Sequence, residues 1–347
     1  MTKQNQEVGN DSIAAQAQGN ITIIKNEALT VEEIEKILAS FTPMFRALAK
    51  EEARALMEDL SQGIFERLAK HPDAAASALK TPDFQYVLGE AAHAYARSGA
   101  SNVKEILLDL IESRCQRDDR TRVTLSLNEA INKTAVLTKE EFAVLSIVFL
   151  IRYTRLGAKN FVEFAGKLKE CTSPLMGDIT REESVANYLN AQSCGHVSIG
   201  QAKFIDILRS NYIGFFMRGC DLAELETIFA PDLKSYSSQL IIHSMHDNDK
   251  FQVGVRNEQE LFEHCNKIGF PKPSADKLWA VAKSKAMNNQ QILDKLQECF
   301  PEASQLQSLW DETYLCHLEL TSIGIAIGHA NIQRVAEFEG ELAMWIR

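Results

Sequence analysis

The sequence predicts a mainly α fold: a multi-helix bundle body in two halves, preceded by a short N-terminal β segment and carrying a small β-hairpin in its second half. Three observations predict it. Thr followed three residues later by Glu recurs ahead of apolar runs at Thr30–Glu33, Thr138–Glu141 and Thr180–Glu183. At that spacing hydroxyl and carboxylate satisfy each other's backbone N–H groups at a helix start. Residues 139–156 are apolar on nearly every face, the pattern of a helix buried by its neighbours. From Ile13 to Ile23 small or apolar residues alternate with polar ones, which is the period of a strand.

The alternating segment comes first. Ile13, Ala15, Ala17, Gly19, Ile21 and Ile23 share one face, and Ser12, Ala14, Gln16, Gln18, Asn20 and Thr22 the other. Gly9-Asn10-Asp11 and Gly19-Asn20 are competent to turn, so two short strands with a bend are expected. Strands this short bury too little surface to stand alone in water. Stacked Asn and Gln side chains of identical chains form amide ladders. Residues 1–29 are therefore expected to pair with other copies through Asn10, Ser12, Ile13, Gln16, Gly19, Asn20, Ile21 and Ile23. The competing reading of this stretch is a disordered polar tail.

Helices follow, expected at 31–40, 43–70, 82–98, 101–116, 122–134, 139–156 and 159–171. Their short connections favour antiparallel neighbours. Thr81-Pro82 marks one start, because Pro at the first helical position gives up an N–H that had no partner. Helix 139–156 is expected at the centre of this half. Cys171–Asp178, rich in turn formers, reads as a linker, which places a first helical domain at 30–172 and a second, mainly helical one at 179–347.

In the second half helices are expected at 181–191, 201–217, 221–229, 257–266, 274–285, 289–298 and 302–316, with Ser274 as a cap. Cys194–Gly200 is β-competent, and a hairpin or small wing is expected between Ser235 and Val255. Thr321 can cap a last helix whose Gly324 and Gly328, four apart, allow a neighbour's backbone to come close. Met344-Trp345-Ile346 is an apolar end that must dock or bind.

Composition narrows the function. With 37 Lys and Arg against 47 Asp and Glu the net charge is −10, so nucleic acid is not the expected partner. Seven cysteines without a CxxC pair are the pattern of reduced cytoplasmic thiols. The opening MTKQNQEVGND lacks the charged and apolar regions of a secretory signal, and the longest apolar run, Phe142 to Ile151, is about half a membrane span. A cytoplasmic protein is expected. The common phosphate-cradling and acyl-transfer motifs are absent, which lowers the expectation of an enzyme, and no cofactor is expected.

Several clusters are weighed as chemistry. His243, His246, Asp247 and Asp249 have the residue types of a metal site, but no Glu stands at the general-base position of an HExxH motif, and the run equally reads as a solvated turn. Cys194 and His196 invite a nucleophile reading, which requires the base to reach the sulfur. His264-Cys265 and Cys316-His317 are adjacent pairs that point to different faces of a helix. Arg114, Arg117, Arg120 and Arg122 form a basic cluster able to meet a phosphate or an acidic partner, interrupted by Asp118 and Asp119 and without a nearby aromatic to stack a base.

The opening stretch, through Asn10, Ser12, Gln16, Gly19, Asn20 and Ile21, resembles a short tag found at the ends of bacterial signalling and defence proteins. The body, in DFQYVLGEAAHAYARSGASNVKEILLDLIESR and LELTSIGIAIGHANI, resembles an uncharacterised bacterial helical family. Its Leu320-Thr321-x-x-Gly324 ending is also similar to abortive-infection alpha proteins. The resemblance implies assembly and a role in defence, and supplies no catalytic residues. The leading expectation is a non-enzymatic, homo-oligomeric scaffold or sensor whose partner is itself or another protein. Its rivals are a metal-dependent hydrolase or nuclease using the turn at 243–249, and a winged-helix regulator, which would need a basic recognition face.

Overall fold

Two helices were expected before residue 70, and one forms: α1 runs Val31–Leu68 through position 43. A proline removes one backbone bond, and the strong helix formers that come after it, Met44 and Arg46 to Lys50, carry the helix past it. The computed structural model describes residues 31–117, 120–229 and 231–346, so the β segment expected at 1–29 and the cap at Thr30 lie outside the described residues. The chain divides into two units, Met1–Glu52 and Ala53–Arg347. Both hydrophobic cores belong to the second unit.

A short helix not read from the sequence, α2 (Pro72–Ala78), precedes α3 (Pro82–Ser98). Thr81 caps α3 as expected, its hydroxyl accepting from Phe84 N–H, and Gly99 ends the helix at φ 61°, a left-handed conformation that costs glycine little. Then come α4 (Ser101–Cys115), α5 (Arg122–Thr134) and α6 (Lys139–Val148), the last opened by the expected Thr138–Glu141 box. Arg67 near the end of α1 holds α4, donating to Asp109 at 2.5 Å and Glu112 at 2.8 Å.

The apolar stretch 139–156 is not one regular helix. After Val148 it widens into a π-helical turn, Phe149–Tyr153. Next, α7 (Phe161–Met176) continues through Pro174, so the linker expected at 171–178 is mostly helix, with Cys171, Thr172 and Leu175 buried. Burial of that face outweighs the single bond the proline removes.

Helix α8 (Ser184–Ala191) starts later than its box predicted. Both the N–H and the hydroxyl of Thr180 donate to Glu140 at the start of α6, which takes the cap away from its own helix. Strand β1 (Gly195–Val197) then leads to α9 (Phe204–Tyr212), α10 (Leu222–Glu226) and α11 (Ser237–Leu240). The expected hairpin is present as β2 (Ile241–His243) and β3 (Phe251–Val253), antiparallel with Ile242 opposite Gln252.

Four more helices come next: α12 (Glu258–Ile268), α13 (Lys272–Ser284), α14 (Asn289–Cys299) and α15 (Ala303–Asp311). Ser274 is not a cap, because α13 already begins at Lys272 with Pro273 in its first turn. Strand β4 (Leu318–Leu320) pairs antiparallel with β1, His196 opposite Glu319. Thr321 then caps α16 (Ser322–Val335) as expected.

The fold is mainly helical, with two small antiparallel two-stranded sheets among the described residues. Buried side chains from Leu60 to Ile346 form one core, in which α16 lies along α6 and every residue from Gly324 to Ile332 is buried. A second, smaller core, from Ile213 to Ala282, gathers around the hairpin and helices α12 and α13. No helix among the described residues is long and apolar enough to cross a membrane.

Candidate functional site

The end of α4, the starts of α3 and α5 and the loop before α5 enclose a cavity of about 230 Å³, lined in part by Thr81, Asp83, Arg114, Arg117, Arg120 and Thr124. Three of the four arginines of the basic cluster thus share one concave surface. Arg114 builds its wall. The side chain is buried, and its guanidinium donates to Asp83 at 2.6 Å, to Asn128 at 2.9 Å and to the Arg117 carbonyl at 2.7 Å, while it lies over the Phe84 ring at 5.8 Å. A buried cation needs this many partners to offset lost hydration.

Arg117 is held differently. It donates to the Ser113 carbonyl, and burial pushes its pKa down, opposed by the charge of Glu341. Arg120 is exposed. Neither forms an ion pair among the described residues. Among the described residues Asp83 is the carboxylate that lines the cavity, kept below its ordinary pKa by its hydrogen bonds from Arg114 and Asn128 and by the charge of Arg120. Two helix N-termini open onto the same space, and the first turn of α5 carries no acidic residue. Helix starts present partial positive charge and unpartnered N–H groups. The arrangement is one that attracts a compact anion.

A second polar region surrounds the π-helical turn. Arg152 donates to the Cys316 carbonyl at 2.5 Å and lies over the Trp310 ring at 5.8 Å, and its Nε is buried without a hydrogen-bond partner. The Tyr153 hydroxyl accepts from Leu320 N–H at 2.8 Å, and its carbonyl accepts from Trp345 Nε1 at 2.7 Å. These bonds tie β4 and the chain end to the turn. The apolar end, with Trp345 against Phe149 at 5.0 Å, docks on the protein's own core.

The histidine-rich turn is not gathered into a centre. His243 lies against Phe251, with its Nδ1 3.3 Å from the Asn248 carbonyl, while His246 points the other way, its Nε2 2.7 Å from the Phe215 carbonyl and its ring edge on Phe161. Asp247 accepts from Asp249 N–H at 3.1 Å and faces Lys250 at 3.6 Å. Among the described residues no group of three or more His, Cys, Asp or Glu is placed to hold a metal ion.

The cysteine–histidine pairs are likewise separated by the fold. Cys194 is buried and its thiol pKa is pushed up to about 12, whereas His196 faces out across β1 to Glu319 at 3.6 Å. His264 lies 3.2 Å from the Gln239 carbonyl, and burial raises the Cys265 thiol. Cys316 donates to the Thr313 carbonyl at 3.3 Å and His317 lies 3.1 Å from that of Gly200. A thiol with a raised pKa is a poor nucleophile, because the thiolate is the reactive form.

Of the residues expected to drive self-association, Asn10, Ser12, Ile13, Gln16, Gly19, Asn20, Ile21 and Ile23 all lie outside the described residues, as do Asp118 and Asp119. The arginines were visible in the sequence as a basic run. Asp83 and Asn128 were not, because they come from α3 and α5 and meet Arg114 only when those helices pack on α4.

A model of a protein family of uncharacterised type matches residues 20–346. The chain belongs to that family. The match takes in every described helix, the arginine cavity and both sheets. Neither the comparison with curated proteins nor that with solved structures returned a match.

Proposed function

We propose that the protein is a non-enzymatic, homo-oligomeric scaffold or sensor of the cytoplasm, with segment 1–29 joining copies and the helical body receiving the signal. The observation that carries the sensing half is the arginine cavity: in a chain of net charge −10, three arginines line one concave surface, with Asp83 the one carboxylate among the described lining residues. Such a site collects a charged ligand from solution.

The assembly half is supported by the alternation of residues 12–23 and by the amide side chains that ladder between identical strands. The likeness of the opening tag to those of bacterial signalling and defence proteins, and of Leu320-Thr321-x-x-Gly324 to abortive-infection alpha proteins, directs the proposal toward phage defence. His243, His246 and Cys316, weighed as catalytic groups, are engaged with backbone carbonyls, which favours a binding role over a reaction.

The test is the solution mass, by light scattering after size exclusion, of the full chain and of a chain beginning at Leu29. A fall to a smaller species on removing the segment is expected. Equal masses would sink the assembly reading.

A further inference from the structure

We propose that the cavity between the starts of α3 and α5 and the end of α4 binds the phosphate group of a small phosphate monoester, held by Arg117 and Arg120.

The charge balance argues for it. Within the cavity Asp83 is neutralised by Arg114, at 2.6 Å. That leaves Arg117 and Arg120, which form no ion pair among the described residues. Two guanidiniums without an ion-pair partner among the described residues, Arg117 with the charge of Glu341 set against it and Arg120 acting on the already paired Asp83, suit a phosphate monoester, which carries about −1.5 to −2 at neutral pH with three strong acceptor oxygens. A carboxylate would answer only one of them. Guanidinium forks also suit phosphate geometry, since parallel N–H groups meet two oxygens at once.

The cavity's construction separates wall from ligand group. Arg114 spends its Nε, Nη1 and Nη2 on Asn128, the Arg117 carbonyl and Asp83, so it fixes the loop and has little left for a ligand. Arg117 gives its Nη1 to the Ser113 carbonyl and keeps further donors. The starts of α3 and α5 add partial positive charge, and both helices are long enough for it to matter, with 17 and 13 residues.

Size selects the ligand class. The volume of about 230 Å³ is below the range of sites that enclose a whole drug-sized molecule, about 300–1,000 Å³, so the site takes the phosphate and leaves the rest of the ligand at its mouth. The net charge of −10 disfavours a polyanion such as nucleic acid, whose many phosphates would meet the acidic remainder of the surface.

The inference rests on reading the helical body as the sensing part, and its test keeps the two apart. Full-length protein is titrated calorimetrically at low ionic strength with inorganic phosphate alone and with adenosine monophosphate alone, against potassium chloride of equal ionic strength. Saturable binding of at least one probe is expected, weakened about tenfold or more in Arg117→Gln/Arg120→Gln, the loss corresponding to one charge-assisted hydrogen bond. Equal affinity for both probes makes the phosphate group the whole of the recognised ligand, and tighter binding of the nucleotide adds contacts at the mouth; either upholds the site.

No saturable binding of either probe overturns it, as does unchanged affinity in the double variant with its helical circular dichroism intact. Should that variant unfold, Arg120→Gln alone decides, because Arg120 is exposed and its removal leaves the packing untouched. Light scattering of the same samples reads assembly. A protein that binds phosphate yet stays monomeric keeps the site and overturns the assembly reading alone.

Discussion

The backbone of Gly324 lies against the carbonyl of Cys194, so close that a Cβ at Gly324 would sit 1.9 Å from that oxygen. Gly328, one turn later, meets the Leu145 carbonyl in the same way, at 2.6 Å. The two glycines are what allow α16 to lie along α6 and beside β1. Because the opposing atoms are backbone, they cannot rotate aside. Gly324→Ala is expected to destabilise the protein by about 3 kcal/mol, the upper end of the cost of overpacking a core. The midpoint of urea unfolding checks this, and a variant as stable as the parent would mean that α16 can shift away from β1.

Across the same interface Asn331 donates to the Ser146 hydroxyl at 2.8 Å, and Ser146 donates to the Phe142 carbonyl at 2.7 Å, all in the buried core. Removing one partner leaves a buried polar group without its bond. Asn331→Ala is expected to cost about 1–3 kcal/mol. In a double-mutant cycle with Ser146→Ala the double variant should lose less than the sum of the two single losses, since the pair shares one bond. Simple additivity would show that the bond contributes nothing.

His329 sets a pH dependence. It is buried among Phe149, Phe338 and Trp345, with its Nε2 2.9 Å from the Gly340 carbonyl. Burial holds its pKa below the ordinary histidine value, and the charge of Arg117 adds to this, against the hydrogen bond to Gly340. The unfolded chain therefore takes up a proton near pH ~6.5, before the folded one does. This contribution is complete above that pH and is lost as pH falls from there toward the lower folded value. Unfolding midpoints measured at about pH 7.5 and 5.5 should drop more in the parent than in His329→Gln, which does not titrate in that range. Equal drops would remove His329 as the cause.

The thiols should differ sharply in reactivity. Cys171 and Cys194 are buried, with pKa values pushed up to about 11 and about 12, while Cys299 is the one cysteine not fully buried. A thiol reagent added to the native protein is expected to label Cys299 first and the two buried thiols only at the rate of unfolding. Mass spectrometry of the labelled peptides reads the order. Fast labelling of Cys194 would show that the contact of β1 with α16 opens readily.

Local signals carried far in this chain. The box at Thr138–Glu141, the caps at Thr81 and Thr321 and the hairpin between Ser235 and Val255 all appear where the pattern placed them, because each depends on residues within a few positions. The errors share a cause. Thr180 lost its capping role to Glu140, forty residues away, and Pro174 stayed inside a helix because its neighbours are buried. A tertiary partner outweighed a local preference in both. At the cavity the arginines were legible as a run, but Asp83 and Asn128 were not, since no local pattern ties α3 and α5 to the end of α4.

By itself, then, the amino-acid order determined a mainly helical chain, most of its helix starts and the small residues of its last helix, through capping bonds and periodicity that act within a turn or two. Only the tertiary structure decided that α16 lies against α6, that β4 closes onto β1 and that three arginines share one cavity. These are matters of which buried surfaces fit one another, across more than a hundred residues for α16 and β4 and across about forty for the cavity, and burial is non-directional, so the sequence marks the faces without naming their partners.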